Sequence, residues 1–196
     1  MKKKRGKKKF SLKEQYELSW NFLKESGKFF YFTILLFFVF VFIGYFVPAP
    51  IEVQDVIKDY IKQLLLETEG MNSFELIKFI FLNNLQVSFF GVVLGVLFGI
   101  FPLIYTIGNG YILGFVSSIA VREGGLGILL RLLPHGIFEL PAVFISLSLG
   151  FKLASFVLQT NKSEAFRKYF WNSLRVFVFI VIPLLVIAAI IEGSLI

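Results

Sequence analysis

No cysteine occurs in the 196 residues, and histidine occurs once. The first absence removes disulfides, thiolate metal sites and cysteine nucleophiles. The second removes zincin chemistry, which needs two imidazoles one helical turn apart with a general base between them. The single histidine sits in His135-Gly136-Ile137-Phe138-Glu139, not in H-E-x-x-H. No G-x-S-x-G nucleophile signature occurs either, and a dyad of His135 with Ser117 or Ser118 has no surrounding pattern to support it. The sequence therefore predicts no catalytic residue, no metal and no cofactor, and the chain reads as a non-enzyme. Charge is scarce too: 17% of residues are charged against 57% hydrophobic. With 26 phenylalanines and a mean hydropathy of +0.78, the chain has more apolar surface than a soluble domain of this length can bury. Lipid must solvate much of it.

The charge that exists is concentrated at one end. Residues 1–28 hold ten Lys/Arg against Glu14, Glu17 and Glu25, while the remainder balances ten against ten, so the formal +7 belongs to the N-terminus. A run such as M-K-K-K-R-G-K-K-K suits nucleic acid, anionic headgroups or an orientation signal. Directly ahead of a membrane span the last two are favoured, and membrane lipids rather than nucleic acid are the expected partners. Ser11-Leu12-Lys13-Glu14 has the form of a capping box, and Leu12, Tyr16, Trp20 and Leu23 recur at helical spacing. This predicts an amphipathic helix at the cytoplasmic interface, with Tyr16 and Trp20 at headgroup depth. Gly27 is a hinge into the first span.

That span, 29–47, is uncharged and ends at Pro48-Ala49-Pro50; with no A-x-A site, it reads as retained rather than cleaved. Residues 51–82 are polar, with an apolar face on Val53, Val56, Ile57, Tyr60, Ile61, Leu64 and Leu65, and read as two helices split at Gly70 outside the membrane. A second span is expected over 84–107. The third, 109–121, is short for a full crossing and reads as a broken or re-entrant helix. A fourth follows 128–134 and runs to about Val157. The basic stretch 159–175 lies inside, and 176–191 is the last span. Five crossings keep both basic clusters in the cytoplasm and leave the C-terminus outside. The expected organisation is a cytoplasmic tail and interfacial helix (1–28), a first transmembrane helix (29–47), an extracytoplasmic helical segment (48–82) and a four-span core (83–196). The fold class is an all-α integral protein of the cytoplasmic membrane.

Small residues recur every four positions: Gly91, Gly95 and Gly99; Gly110, Gly114 and Ser118; Ala142, Ser146, Gly150 and Ala154. Such ribbons let helix backbones approach closely in lipid, and they predict a compact core of spans two, three and four. Polar residues within or beside spans are the site candidates, because each needs a partner. They are Asn83, Asn84, Asn109, His135 and Glu139. His135 and Glu139 are four apart and share a helical face; a proton relay or pocket and a buried structural pair both fit that spacing.

Phe81-Leu82-Asn83-Asn84, the glycines at 91, 95 and 99, Asn109-Gly110 with Gly114, and Pro134-His135-Gly136-Ile137-Phe138-Glu139-Leu140-Pro141-Ala142 followed by Gly150 stand in an order that resembles the stage II sporulation protein M family. The resemblance runs from the Trp20 helix through the last span. It implies a polytopic membrane protein that, in endospore-forming bacteria, works with peptidoglycan-degrading partners during engulfment as an organiser rather than as the hydrolase. The family also occurs in archaea and in bacteria that never sporulate. Its motif falls on Asn83, Asn84, Asn109, Gly110, His135, Gly136, Glu139 and Pro141, with no chemical role to carry over. The reading is a non-enzymatic membrane scaffold with membrane or envelope protein partners or a second copy of itself. The competing reading is a small-molecule or lipid carrier with His135 and Glu139 in its path.

Overall fold

A computed structural model describes residues 11–47 and 49–193, with side chains described except at 128–138 and 192–193. Among the described residues the chain is helical, with no strand. Five stretches are long and apolar enough to cross a membrane: Gly27–Phe46, Ser73–Val96, Ile100–Gly124, Glu139–Leu158 and Lys162–Ile191. At 1.5 Å per residue, the 20 residues of the first span about 30 Å, the thickness of a hydrocarbon core.

The N-terminal helix α1 (Leu12–Glu25) starts at Ser11, whose Oγ accepts a hydrogen bond from the Glu14 amide. Its protein-facing side lies beside the stripe expected at the lipid interface. Ser19 and Phe22 are buried, whereas Leu12, Tyr16 and Trp20 are exposed. The reason is a partner helix, α7 (Lys162–Val176). Arg175 Nε donates to Gln15 Oε1 at 2.9 Å, and the Phe22 and Tyr169 rings lie 6.2 Å apart. Helix α1 thus has one face on the protein, and its Leu12-Tyr16-Trp20 stripe is exposed toward the lipid interface, with the Tyr16 ring edge-on to Phe179 at 5.6 Å. Helices α1 and α7 form a collar at one end of the bundle.

Helix α2 (Gly27–Phe46) is the first span. The chain then forms α3 (Ile51–Thr68) and, past Gly70 at φ +77°, α4 (Ser73–Val93). The split at Gly70 is as expected, but the second polar helix and the second span are one element. Asn72 and Glu75 close a reciprocal capping box, each bond 3.0 Å. Replacing Asn72 with alanine is expected to cost about 1 kcal/mol, read as a lowered melting temperature in detergent.

The second span ends at Val96, not at 107, and the third is neither short nor re-entrant. Helix α5 (Ile100–Gly124) is a continuous run of 25 residues. Phe98 at φ +54° and Gly99 at φ +74° reverse the chain between the two. Pro102 then falls in the first turn of α5, where its missing N–H has no helical partner to lose. Gly99→Ala is expected to destabilise the fold by about 1 kcal/mol or more, because a Cβ disfavours the left-handed region and would lie 3.2 Å from the Ala154 Cβ.

The helix α6 (Leu129–Ala154) carries the fourth span, and α8 (Ile182–Gly193) completes the fifth after a π-helical turn at Phe177–Val181. Every residue from 142 to 150 is buried, which makes α6 the central helix. The glycine ribbons do set the seams. A Cβ on Gly91 would meet Leu147, one on Gly95 would meet the backbone of Gly150, and one on Gly150 would meet the Gly91 carbonyl, so α4 and α6 touch backbone to backbone. The Gly110–Gly114 ribbon packs elsewhere than expected, on the first span. Gly110 faces the Phe37 carbonyl, Gly114 faces that of Val41, and Gly44 of α2 faces that of Tyr111. The expected core of spans two, three and four therefore needs span one as well. Hydroxyls inside the layer bond back to their own helices: Thr33 to the Phe29 carbonyl, Thr106 to Pro102, Ser146 to Ala142 and Ser148 to Ile145. That is how a polar group is satisfied where no water reaches. Ser88 is an exception, buried with no hydrogen-bond partner. Ser88→Ala is thus expected to leave the melting temperature unchanged or raised.

Candidate functional site

Helices α4, α5 and α6 bring polar groups together midway through the bundle. Asn84 of α4, Tyr105, Thr106 and Asn109 of α5, and Leu140, Val143 and Leu147 of α6 line a cavity of about 80 Å³ together with Phe37 and Phe144. Phe37 lies midway along α2, so the cavity is at mid-depth. Asn109 Nδ2 donates to the Tyr105 carbonyl at 2.9 Å, and the Thr106 hydroxyl donates to the Pro102 carbonyl at 2.6 Å. Glu139, half-buried one residue before Leu140, is within electrostatic reach of Tyr105 and has an interaction partner. Tyr60 of α3 also reaches the field of Tyr105.

Of the sequence-predicted residues, the half-buried Asn84 and the exposed Asn109 line this cavity, and Glu139 lies within electrostatic reach of its Tyr105. Asn83 is exposed, about 100° around α4 from Asn84. Gly110 is a packing residue against α2, and Pro141 is exposed within α6. His135 and Gly136 lie on α6, one turn before Glu139, with a helical backbone; the expected His135–Glu139 pairing lies outside the described side chains. Tyr105 and Thr106 were not among the sequence candidates. Their signal was available: a tyrosine one turn before Asn109, at mid-span rather than in the interfacial belt where the ring is ordinarily found.

The cavity has room for a few water-sized groups. It is far below the several hundred Å³ of an ordinary small-molecule site, about 300–1,000 Å³. Its polar lining is suited to holding three spans in register.

A second arrangement lies toward the end of the bundle away from the collar. The α3 residue Ile57 is buried with Ala49 and Phe115, and Ile61, Tyr111, Ile112 and Ile119 pack around them. Because Gly114 abuts Val41 and Tyr45, this contact is level with the second half of the first span. Helix α3 leans on the bundle there, with Glu52, Asp55, Lys58, Asp59 and Lys62 exposed.

Comparison with known proteins places these residues in a family. Over 169 residues, 83% of this chain and 74% of the relative, it is 29% identical to the uncharacterized protein MJ0706 of Methanocaldococcus jannaschii. It is 40% identical over 73 residues to the uncharacterized protein MJ0793 of the same organism. That second match spans 36% of this chain and 41% of the relative's length. No solved structure matches the chain. The family model described as stage II sporulation protein M matches residues 33–195, which takes in most of the first span, the other four spans and the Asn84–Asn109–Glu139 cluster. This five-span membrane protein belongs to the stage II sporulation protein M family.

Proposed function

We propose that this protein is a non-enzymatic scaffold subunit of a cell-envelope complex, in which the polar cluster at mid-span fixes the bundle and α3 receives a partner protein. The observation that carries this reading is the charged face of α3. Glu52, Asp55 and Asp59 form an acidic stripe beside Lys58 and Lys62, on the side of the helix opposite Ile57. A two-signed charged surface held level with the second half of a membrane span is poorly suited to lipid. The polar surface of another envelope protein, or of a second copy, satisfies it. Peptidoglycan-remodelling proteins are the partner class the family likeness favours. A carrier is the second reading, supported by the polar cavity at mid-depth. Its volume of about 80 Å³ argues against passage of a solute.

In this reading the N-terminus and the collar are cytoplasmic and the C-terminus is outside, in keeping with the basic residues of α1 and α7. The cysteine-free chain makes orientation directly testable. On intact cells, a membrane-impermeant maleimide is expected to label Glu69→Cys and to spare Lys162→Cys; the reverse pattern would invert the topology. For the partner, a photo-crosslinking residue at Asp55 or Lys62 is expected to capture one protein in stoichiometric yield, while the same residue at Phe42, on the lipid face, captures none. Equal capture from both positions would remove the role given to α3.

A further inference from the structure

We propose a binding site for one anionic phospholipid at the collar end of the bundle, formed by an apolar groove with Lys28 on its wall and Lys152 beside it, next to the Phe29 ring. The groove has a volume of about 520 Å³, within the roughly 300–1,000 Å³ of ligand sites. Phe29, Phe32, Phe98, Phe151 and Leu158 are among its walls. Phe98 and Leu158 are 72% and 82% exposed, so the groove opens sideways, where an acyl chain and not a soluble molecule is the neighbour.

The charge at its mouth selects the headgroup. Lys28 Nζ lies 5.1 Å and Lys152 Nζ 5.7 Å from the centroid of the same ring, Phe29, and Lys152 is also 4.5 Å from the Tyr169 ring. Two ammonium groups thus share one aromatic ring as a neighbour, and Lys28 acts on Lys152 as a like charge. The charges acting on Lys152 are Glu25, Lys28 and Lys168, and Glu25 is shared with Lys168 at 3.8 Å. Three lysines and one glutamate leave an excess of two positive charges. A phosphodiester answers that excess, and its chains fill the groove below. Both lysines stand at span ends, Lys28 in the first turn of α2 and Lys152 in the last turn of α6, at the depth of lipid phosphates. The site is separate from the lysine-rich run at positions 1–9.

The test is native mass spectrometry of the full chain with equimolar phosphatidylglycerol and phosphatidylcholine of identical acyl chains. It is run on the wild type and on a chain whose seven basic residues in positions 1–9 are changed to glutamine. Both are expected to retain one phosphatidylglycerol in preference to phosphatidylcholine. Because each lysine beside an anionic headgroup is worth about fivefold, Lys28→Gln is expected to weaken phosphatidylglycerol retention about fivefold, and Lys28→Gln with Lys152→Gln about 25-fold. Phosphatidylcholine retention should stay as it was, and Lys28→Arg with Lys152→Arg should keep the preference. Lys28 is exposed, so its single variant remains informative if the double variant fails to fold. Equal retention of the two lipids by the wild type would overturn the proposal. So would a preference left undiminished by Lys28→Gln, one lost with the positions 1–9 changes alone, or displacement of the lipid by inorganic phosphate.

Discussion

Gly114→Ala is expected to unseat the first span from the third, lowering stability by about 3 kcal/mol or more and reducing the folded yield from membranes. The added Cβ would run into the Val41 carbonyl and the Tyr45 amide, both backbone atoms that cannot swing aside as a side chain can. Inserting a methyl group into a packed core ordinarily costs 1–3 kcal/mol, and a backbone-to-backbone seam is at the upper end of that range. Lipid offers no hydrophobic compensation for parted helices, because tails are as apolar as the surfaces they would cover. Gly150→Ala, which meets the Gly91 carbonyl, should act similarly on the separate seam between α4 and α6. As the two sites share no partner, their effects should add within about 0.5 kcal/mol. By contrast Gly108→Ala, where nothing lies within 4 Å, should leave the melting temperature unchanged or slightly raised. Thermal unfolding in detergent of these three variants and of the Gly114→Ala/Gly150→Ala double variant checks the set. A tolerated Gly114→Ala would mean that the spans do not meet as described.

The second large effect is expected at the polar cluster. Glu139→Ala removes one member of an interaction at membrane depth and leaves its partner unsatisfied, a loss of about 1–3 kcal/mol. Asn109→Ala and Asn84→Ala remove smaller, neutral groups and should each cost about 1 kcal/mol. A scaffold role makes a specific demand here: stability and partner binding should fall together in Glu139→Ala. Glu139→Gln, which keeps the shape and an acceptor, should recover most of both. If His135→Ala and Glu139→Ala left melting and partner capture unchanged, the motif would have no structural role. Thermal unfolding and crosslinking yield on the same preparations separate the outcomes.

Much of this fold was legible because lipid imposes a simple code. The number of crossings, the first span, the break at Gly70 and the ribbons at Gly91–Gly95–Gly99 and Ala142–Ser146–Gly150 follow from hydropathy, backbone permissiveness and close packing. What misled was continuity of apolar sequence. From Phe89 to Ile104 the residues stay apolar through the turn at Leu97–Gly99, since a reversal at the membrane surface can be lined by Leu97 and Phe98 as readily as by polar residues. Pro102 marked the new helix, and reading it as a first-turn residue would have moved the boundary. The partner of the Gly110–Gly114 ribbon was not legible, because a ribbon shows that something approaches closely without saying what. Gly44 was the complementary mark on the first span. Likewise α1 carries two apolar faces, and only the one with Tyr16 and Trp20 has the wide stripe that periodicity reveals. Of the polar cluster, Asn84, Asn109 and Glu139 were legible as polar exceptions in apolar runs. Tyr105 and Thr106 were passed over because either residue type is common in helices.

The scaffold reading is tested most directly by native mass spectrometry of the protein released gently from its own membranes, comparing the wild type with a variant whose α3 charges are reversed by Asp55→Lys, Asp59→Lys, Lys58→Glu and Lys62→Glu. The expected result is a stoichiometric protein partner bound to the wild type and absent from the variant, with both chains folded. A chain that emerges without a protein partner but with one defined solute, lost on replacing Glu139 and indifferent to α3, would contradict the scaffold and establish a carrier instead.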